Sequence, residues 1–182
     1  VGDALGVWPM NCPGEVSEIL KAAGLSGKET VMLKTGPASL RSALLTRLDL
    51  QTVTPQTLEP WGVERSGDDD HIIDLLAGGR SLTPQELVDG MRALQPRLYS
   101  ISSSPKAHPG EVHLTVGEVR YGLNGTDRKG VASTYLGDRL PEGSNVGVYV
   151  QKSAHFHIPA DDTIPLIMIG PGTGIAPFRA FL

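Results

Sequence analysis

The spacing of apolar residues changes twice along this chain, and each change excludes whole classes of fold. Through residues 13–95 the period is helical: in PGEVSEILKAAGL, Val16, Ile19, Leu20 and Ala23 fall on one helix face, and Gly24 is placed to stop the helix. From Arg97 to about Pro159 the period becomes two. EVHLTVGEVRYG alternates Val112, Leu114 and Val116 against His113, Thr115 and Gly117, and NVGVYVQK alternates Val146, Val148 and Val150, the pattern of half-buried antiparallel strands. At Ile164 the run IPLIMIG is apolar on both faces, as in a strand of a parallel sheet covered by helices on both sides. The chain is therefore α+β, with a third region opening a new α/β domain.

Local signals sharpen this outline. Thr83 precedes Pro84, and Glu86 lies three residues after the threonine, so a cap, a first-turn proline and a capping-box carboxylate stand in order at a helix start. SLRSALLTRLDL and DDDHIIDLLAGG are further helical candidates; Asp68, Asp69 and Asp70 either favour the N-terminus of the second or form a solvated loop. Asn124 and Gly125 supply a turn among the strands. A short helix follows Gly130, with Ala132, Tyr135, Leu136 and Leu140 on one side and Pro141 at its end.

The totals exclude several function classes. Sixteen basic against 20 acidic residues, a net charge of −4 without a basic cluster, give no electrostatic reason to bind nucleic acid. No stretch reaches the roughly 20 apolar residues of a membrane span, and VGDALGVWP lacks the charged start and apolar middle of a signal peptide. A lone cysteine, Cys12, forms no internal disulfide, so a reducing, cytoplasmic setting is expected. His155 and His157 share a strand face, but no cysteine or acidic residue stands nearby at ligand spacing, and no metal site is expected. SISSS lacks the glycines of a hydrolase elbow. The chain has no initiator methionine, and both ends read as cut.

Three stretches point instead to a phosphate-bearing planar ligand. In PRLYSISSSP, Arg97 and Tyr99 lie two apart, about 6.6 Å along one face of a strand. One offers a fork for phosphate and the other a flat ring, and the neighbouring serine hydroxyls could bond the edge of a flavin. In DRKGVASTYL, Gly130 opens a helix whose first turn, Val131, Ala132 and Ser133, is small enough for a pyrophosphate to approach its free amides. Gly170, Gly172 and Gly174 follow an apolar run and precede a helix, the setting of a nucleotide loop, although Ile175 stands where the usual dinucleotide fingerprint has its third glycine.

RLYSISSS, GVAS and GPGTGIAPFRAFL, in this order, resemble the ferredoxin–NADP reductase-like part of the diflavin reductases. GDALGVWP and VHLTVGEVRY extend the likeness over nearly the whole chain, most closely to the branch that serves sulfite reduction. The resemblance implies an antiparallel Greek-key β-barrel of the ferredoxin reductase type that binds FAD (1–12 and 96–160), with a mostly helical connecting insertion (13–95). It also implies the first strand and helix of an α/β NADP-binding domain (163–182), which leaves the NADPH site incomplete here. FMN would belong to a separate flavodoxin-like domain.

The same resemblance implies residue roles. Arg97 would hold the FAD pyrophosphate, Tyr99 would stack on the isoalloxazine, and Ser100, beside Leu98, would lie at its reactive edge as the catalytic group. Strict alternation turns Ser100 away from Tyr99, so that role needs a local kink or a backbone contact. Thr115, Val116 and Gly117 would line the cofactor, Tyr121 would meet its adenine side, and Gly130, Val131, Ala132 and Ser133 would form the phosphate turn. Thr35 would touch FAD as well, and Gly172 and Thr173 would meet NADPH. The implied activity passes hydride from NADPH to FAD, then single electrons through FMN to a haem-containing partner, with little NADPH oxidation by this stretch alone. A member of the cytochrome P450 reductase branch, or a barrel that serves only as an interaction module, are the alternatives.

Overall fold

A computed structural model describes residues 1–64, 70–123, 125–161 and 163–182. In chain order its elements are β1 (Ala4–Val7), α1 (Pro13–Ala22), β2 (Thr30–Leu33), β3 (Gly36–Ser39), α2 (Leu40–Thr46), α3 (Pro55–Trp61), α4 (Ile72–Leu76) and α5 (Pro84–Asp89). There follow β4 (Arg97–Ser100), β5 (Arg120–Leu123), β6 (Thr126–Lys129), α6 (Val131–Thr134) running into a π-helical turn (Tyr135–Arg139), β7 (Val148–Gln151), a 3₁₀ turn (Gly172–Ile175) and α7 (Ala176–Phe181). They divide into two units: Met10–Gln95 with Gly122–Asp127, and Val1–Pro9 with Pro96–Tyr121 and Arg128–Leu182. The chain is α+β, with small antiparallel sheets. Among the described residues no helix is long and apolar enough to cross a membrane.

The unit containing 10–95 is built on helix faces. Val16, Ile19 and Leu20 of α1 are buried at the i, i+3, i+4 spacing, and they join Leu40, Ala43 and Leu44 of α2, Ile72 and Leu76 of α4 and Leu87 of α5 in one apolar cluster. Each fully buried Leu or Ile contributes roughly 1.5–3 kcal/mol, and Ile19→Ala would cost about 2–5 kcal/mol. Helix α1 ends where its glycine predicts: Gly24 has φ +68°, its N–H donates to Lys21, and the next N–H, of Leu25, reaches back to Leu20, the pairing of a Schellman stop. Helix α5 starts on the predicted box, with Thr83 N–H on the Glu86 carboxylate at 2.8 Å and Glu86 N–H on the Thr83 hydroxyl at 3.2 Å.

Three features of this unit depart from the helical outline or refine it. Thr54-Pro55 begins α3 with the same cap-then-proline signal as Thr83-Pro84, and β2 and β3 form a hairpin in a region read as helical. Gly36, at φ +112°, makes its turn. Helix α4 is capped from within: His71 N–H donates to the Asp74 carboxylate at 2.8 Å. Asp70 precedes that cap and is buried, while Asp68, Asp69 and the turn residue Asn124 lie outside the described residues.

The other unit carries a three-stranded antiparallel sheet in the order β4-β1-β7. Leu5 pairs with Tyr99 and with Val150, and Val7 with Arg97 and Val148. Directly opposed residues share a face, so Leu5, Val7, Arg97, Tyr99, Val148 and Val150 project together, and Gly6, Leu98, Ser100 and Tyr149 project from the other side. Gly6 is needed for room, because a Cβ there would run into the Tyr149 ring.

Three strand expectations need correction. Among the described residues the 111–119 stretch forms no strand; it carries an Ile101–Leu114 bridge, and the strand begins later, at Arg120. Val148 and Val150 are exposed rather than half-buried, because β7 is the edge of its small sheet. The apolar run at 164–170 has no strand pairing among the described residues, and Ile167 and Ile169 are 90% and 81% exposed. Apolar character shows what a segment can bury, but a strand also needs a neighbour in register.

Candidate functional site

The strand β4 presents Arg97 and Tyr99 on one face, as their spacing predicts, because the ladder to Val7 and Leu5 is regular. Arg97 is exposed and Tyr99 half-buried. Burial pushes the Tyr99 phenol up, against the opposing pull of Arg97, so the ring is neutral near pH 7. Ser100 pairs with Ala4 and lies on the opposite face, with Leu98. The serines beyond it serve the backbone: the Ser102 N–H donates to the His113 carbonyl at 2.8 Å, the Ser103 hydroxyl accepts from the His113 N–H at 2.9 Å, and both serines are buried.

These bonds lead from β4 directly to the next expected segment. The Ile101–Leu114 bridge carries Thr115, Val116 and Gly117 forward from the strand that bears Tyr99. Gly117 then meets the C-terminal loop, since a Cβ at this position would stand 3.3 Å from the Thr173 methyl. Two residues 56 positions apart, assigned from sequence to different cofactors, are thereby in one place.

Beyond Gly117 the chain is pinned to the turn at Gly130. The Gly130 N–H donates to the Val119 carbonyl at 2.8 Å, and the Val119 N–H donates to the Ser133 hydroxyl at 3.1 Å. Arg120 adds an ion pair to Asp138 at 2.6 Å. The Gly130 amide and the Ser133 oxygen are thus engaged within the protein. An anion at the start of α6 would meet the amides of Val131, Ala132 and Ser133, which as first-turn groups have no partner along the helix. Tyr121 stands on β5, 40% exposed.

The glycine loop has its own logic. A Cβ at Gly170 would strike the Gly174 carbonyl and the Phe178 ring, and Gly172 holds φ +58° at the entry to the 3₁₀ turn. One glycine is required for close packing and the other for a left-handed backbone. Thr35 lies in the other unit, exposed in the turn between β2 and β3.

Residues 50–135 match the family model of the FAD binding domain. Across the whole chain, the sulfite reductase [NADPH] flavoprotein alpha-component of Vibrio vulnificus is 42% identical over 199 aligned positions, and that of Vibrio parahaemolyticus 44% over 200. The alpha-component of Photorhabdus laumondii is 42% identical over 201. Along its whole length the chain is similar to the sulfite reductase flavoprotein alpha-components. It spans 32–33% of the length of these curated relatives, each of which covers 100% of the chain. The matched FAD binding domain takes in Arg97–Ser100, Thr115–Gly117, Tyr121 and Gly130–Ser133, and leaves out Thr35, Gly172 and Thr173.

Sequence reasoning did not single out Arg179, whose Nη1 bonds the Ser102 carbonyl at 2.6 Å and ties α7 to the segment after β4. Its place in the PFRAF run offered no signal, because the partner carbonyl is 77 residues away.

Proposed function

We propose that this chain is the FAD-holding part of an NADPH-dependent flavoprotein of the sulfite reductase type, which supplies electrons to a haem-containing partner component. The observation that carries this reading is identity of 42–44% along the whole chain to alpha-components of that enzyme. The approach of Gly117 to Thr173 supports it, because a flavin-lining segment and a nicotinamide loop must adjoin if hydride is to cross between them.

The residues present fit FAD. Arg97 is the fork for the pyrophosphate, and the neutral, half-buried Tyr99 on the same face offers its ring for stacking. The amides of Val131, Ala132 and Ser133 add N–H donors for phosphate, Thr115 to Gly117 line the cofactor, and Tyr121 serves its adenine side. The regular strand through Ser100 favours a backbone contact over a side-chain one at the reactive edge. When bound, the isoalloxazine supplies hydride acceptance and one-electron release; the protein's part is to orient it and exclude water. Gly172 and Thr173 belong to the NADPH side, and FMN to a separate flavodoxin-like domain.

In architecture, the β4-β1-β7 sheet and the bridged 101/114 segment are read as staves of an antiparallel Greek-key barrel. The 13–95 stretch is read as its helical insertion, and 163–182 as the start of an NADP-binding α/β domain. Titrating FAD into the purified protein tests the core of the reading: uptake with a perturbed flavin spectrum and quenched fluorescence is expected, whereas a protein that stays colourless and leaves flavin emission unchanged would be an interaction module.

A further inference from the structure

Among the described residues, His108, Glu111 and His113 each offer a ligand atom, and these atoms all lie within 4.8 Å of one another. Their grouping follows from a turn. His108-Pro109-Gly110-Glu111 is closed by the Glu111 N–H on the His108 carbonyl at 3.3 Å, with Gly110 at φ +82°, the combination of proline then left-handed glycine that defines a type II turn. The turn is anchored at both ends. His108 N–H donates to the Ser104 carbonyl at 2.9 Å, while His113 gives its N–H to Ser103 and accepts from Ser102. Glu111 and His113 point the same way, since the His113 Nε2 meets the Glu111 carboxylate at 2.9 Å. The His108 and His113 rings stand 4.4 Å apart.

We propose that His108, Glu111 and His113 form a binding site for a first-row divalent cation of the zinc class, with solvent completing the coordination. Two imidazoles and one carboxylate on a closed turn are the ligand set zinc takes when one position is left open. Imidazole favours zinc, copper and nickel over magnesium or calcium. Because the turn already holds the three groups together, little ordering opposes binding.

One neighbour tunes the site. Arg179 Nη1 lies 3.3 Å from the His113 Nδ1. A guanidinium only donates, so in this arrangement Nδ1 accepts and Nε2 carries the proton shared with Glu111. Coordination through Nε2 moves that proton to Nδ1, which breaks the contact with Arg179 while leaving its bond to the Ser102 carbonyl. The guanidinium therefore opposes metal binding, by its charge and by the tautomer it enforces.

The test is calorimetric titration of zinc chloride into the purified protein after chelator treatment. One site per chain is expected. His108→Ala and Glu111→Ala should each weaken it by at least the ~10- to 100-fold typical of lesser, outer-shell changes, and Arg179→Gln should strengthen it. His155→Ala and Cys12→Ser should leave affinity unchanged. Cobalt substitution should give intense visible absorption, and imidazole nitrogen resonances of His108 and His113 in the wild type should shift with zinc, a readout that needs no variant to fold. Absence of a stoichiometric site, binding unaltered in His108→Ala, or loss of binding in His155→Ala or Cys12→Ser would overturn the proposal.

Discussion

Arg179 Nη1 donates to the Ser102 carbonyl at 2.6 Å, joining the last helix to the segment that follows the Tyr99 strand. A further attachment of α7 is aromatic: Phe156 stands 6.2 Å from Phe178 and 5.4 Å from Phe181, ring centre to ring centre. Arg179→Ala removes a charge-assisted bond at a partly exposed position and should cost about 1 kcal/mol. Hydrogen exchange should show the loss confined to α7 and to the amides around Ser102. Unchanged protection there would mean that the Arg179 bond does not hold the helix.

For the flavin, Arg97→Ala should weaken FAD binding by about 1.5–3 kcal/mol, roughly a tenfold to hundredfold rise in Kd. Tyr99→Ala should remove a stacking platform worth about 1–3 kcal/mol, and Tyr99→Phe should bind almost as the wild type does. Fluorescence titration distinguishes these. A Tyr99→Phe protein as impaired as Tyr99→Ala would show that the hydroxyl, not the ring, is what binds.

Asn11 is fully buried, and it closes the end of α2 with three donors: its backbone N–H on the Leu45 carbonyl at 2.9 Å, and Nδ2 on the carbonyls of Leu44 and Leu48 at 2.6 and 2.7 Å. A helix leaves its last carbonyls unpaired, and buried ones must find donors. Asn11→Ala should therefore destabilise the protein by about 2–4 kcal/mol, measured as a lower urea midpoint. A change under half a kilocalorie would show that water replaces the amide.

Asp49 gives the 10–95 unit a pH dependence. Burial by itself would raise its carboxyl, but the Gln51 N–H at 2.8 Å, Arg92 at 2.7 Å and the Thr52 hydroxyl at 2.9 Å outweigh it and hold the group below its ordinary value. A carboxyl depressed in the folded state contributes its stability above the unfolded pKa, about 4, and loses it as pH falls through the folded value. Asp49→Asn should melt lower than wild type at pH 7, and the gap should close below about pH 4. A gap constant across that range would rule out the ionised carboxylate as its source.

Gly90 has an ordinary helical backbone, but a Cβ there would overlap the Trp61 indole, whose Nε1 donates to the Glu86 carbonyl at 2.9 Å. Gly90→Ala should cost about 1–3 kcal/mol through overpacking, with a shifted tryptophan emission as the indole leaves its site. Emission and stability both unchanged would mean the ring has room to move.

Local chemistry was readable in the residue order itself. The Thr83 cap and the Gly24 stop are made within about a turn of chain, and the Arg97–Tyr99 face follows from the pleat of a single strand. The Thr54-Pro55 start of α3 carries the same kind of signal, although it was not among the helix starts read from the sequence. What pattern could not reveal depends on partners far along the chain: Asn11 on a carbonyl 33 residues away, Asp49 on an arginine 43 away, Gly117 against Thr173, and Arg179 holding Ser102. The apolar run at 164–170 shows the limit most clearly. Its composition allows a buried strand, but pairing is a property of neighbours, and only the folded chain decides whether one lies alongside.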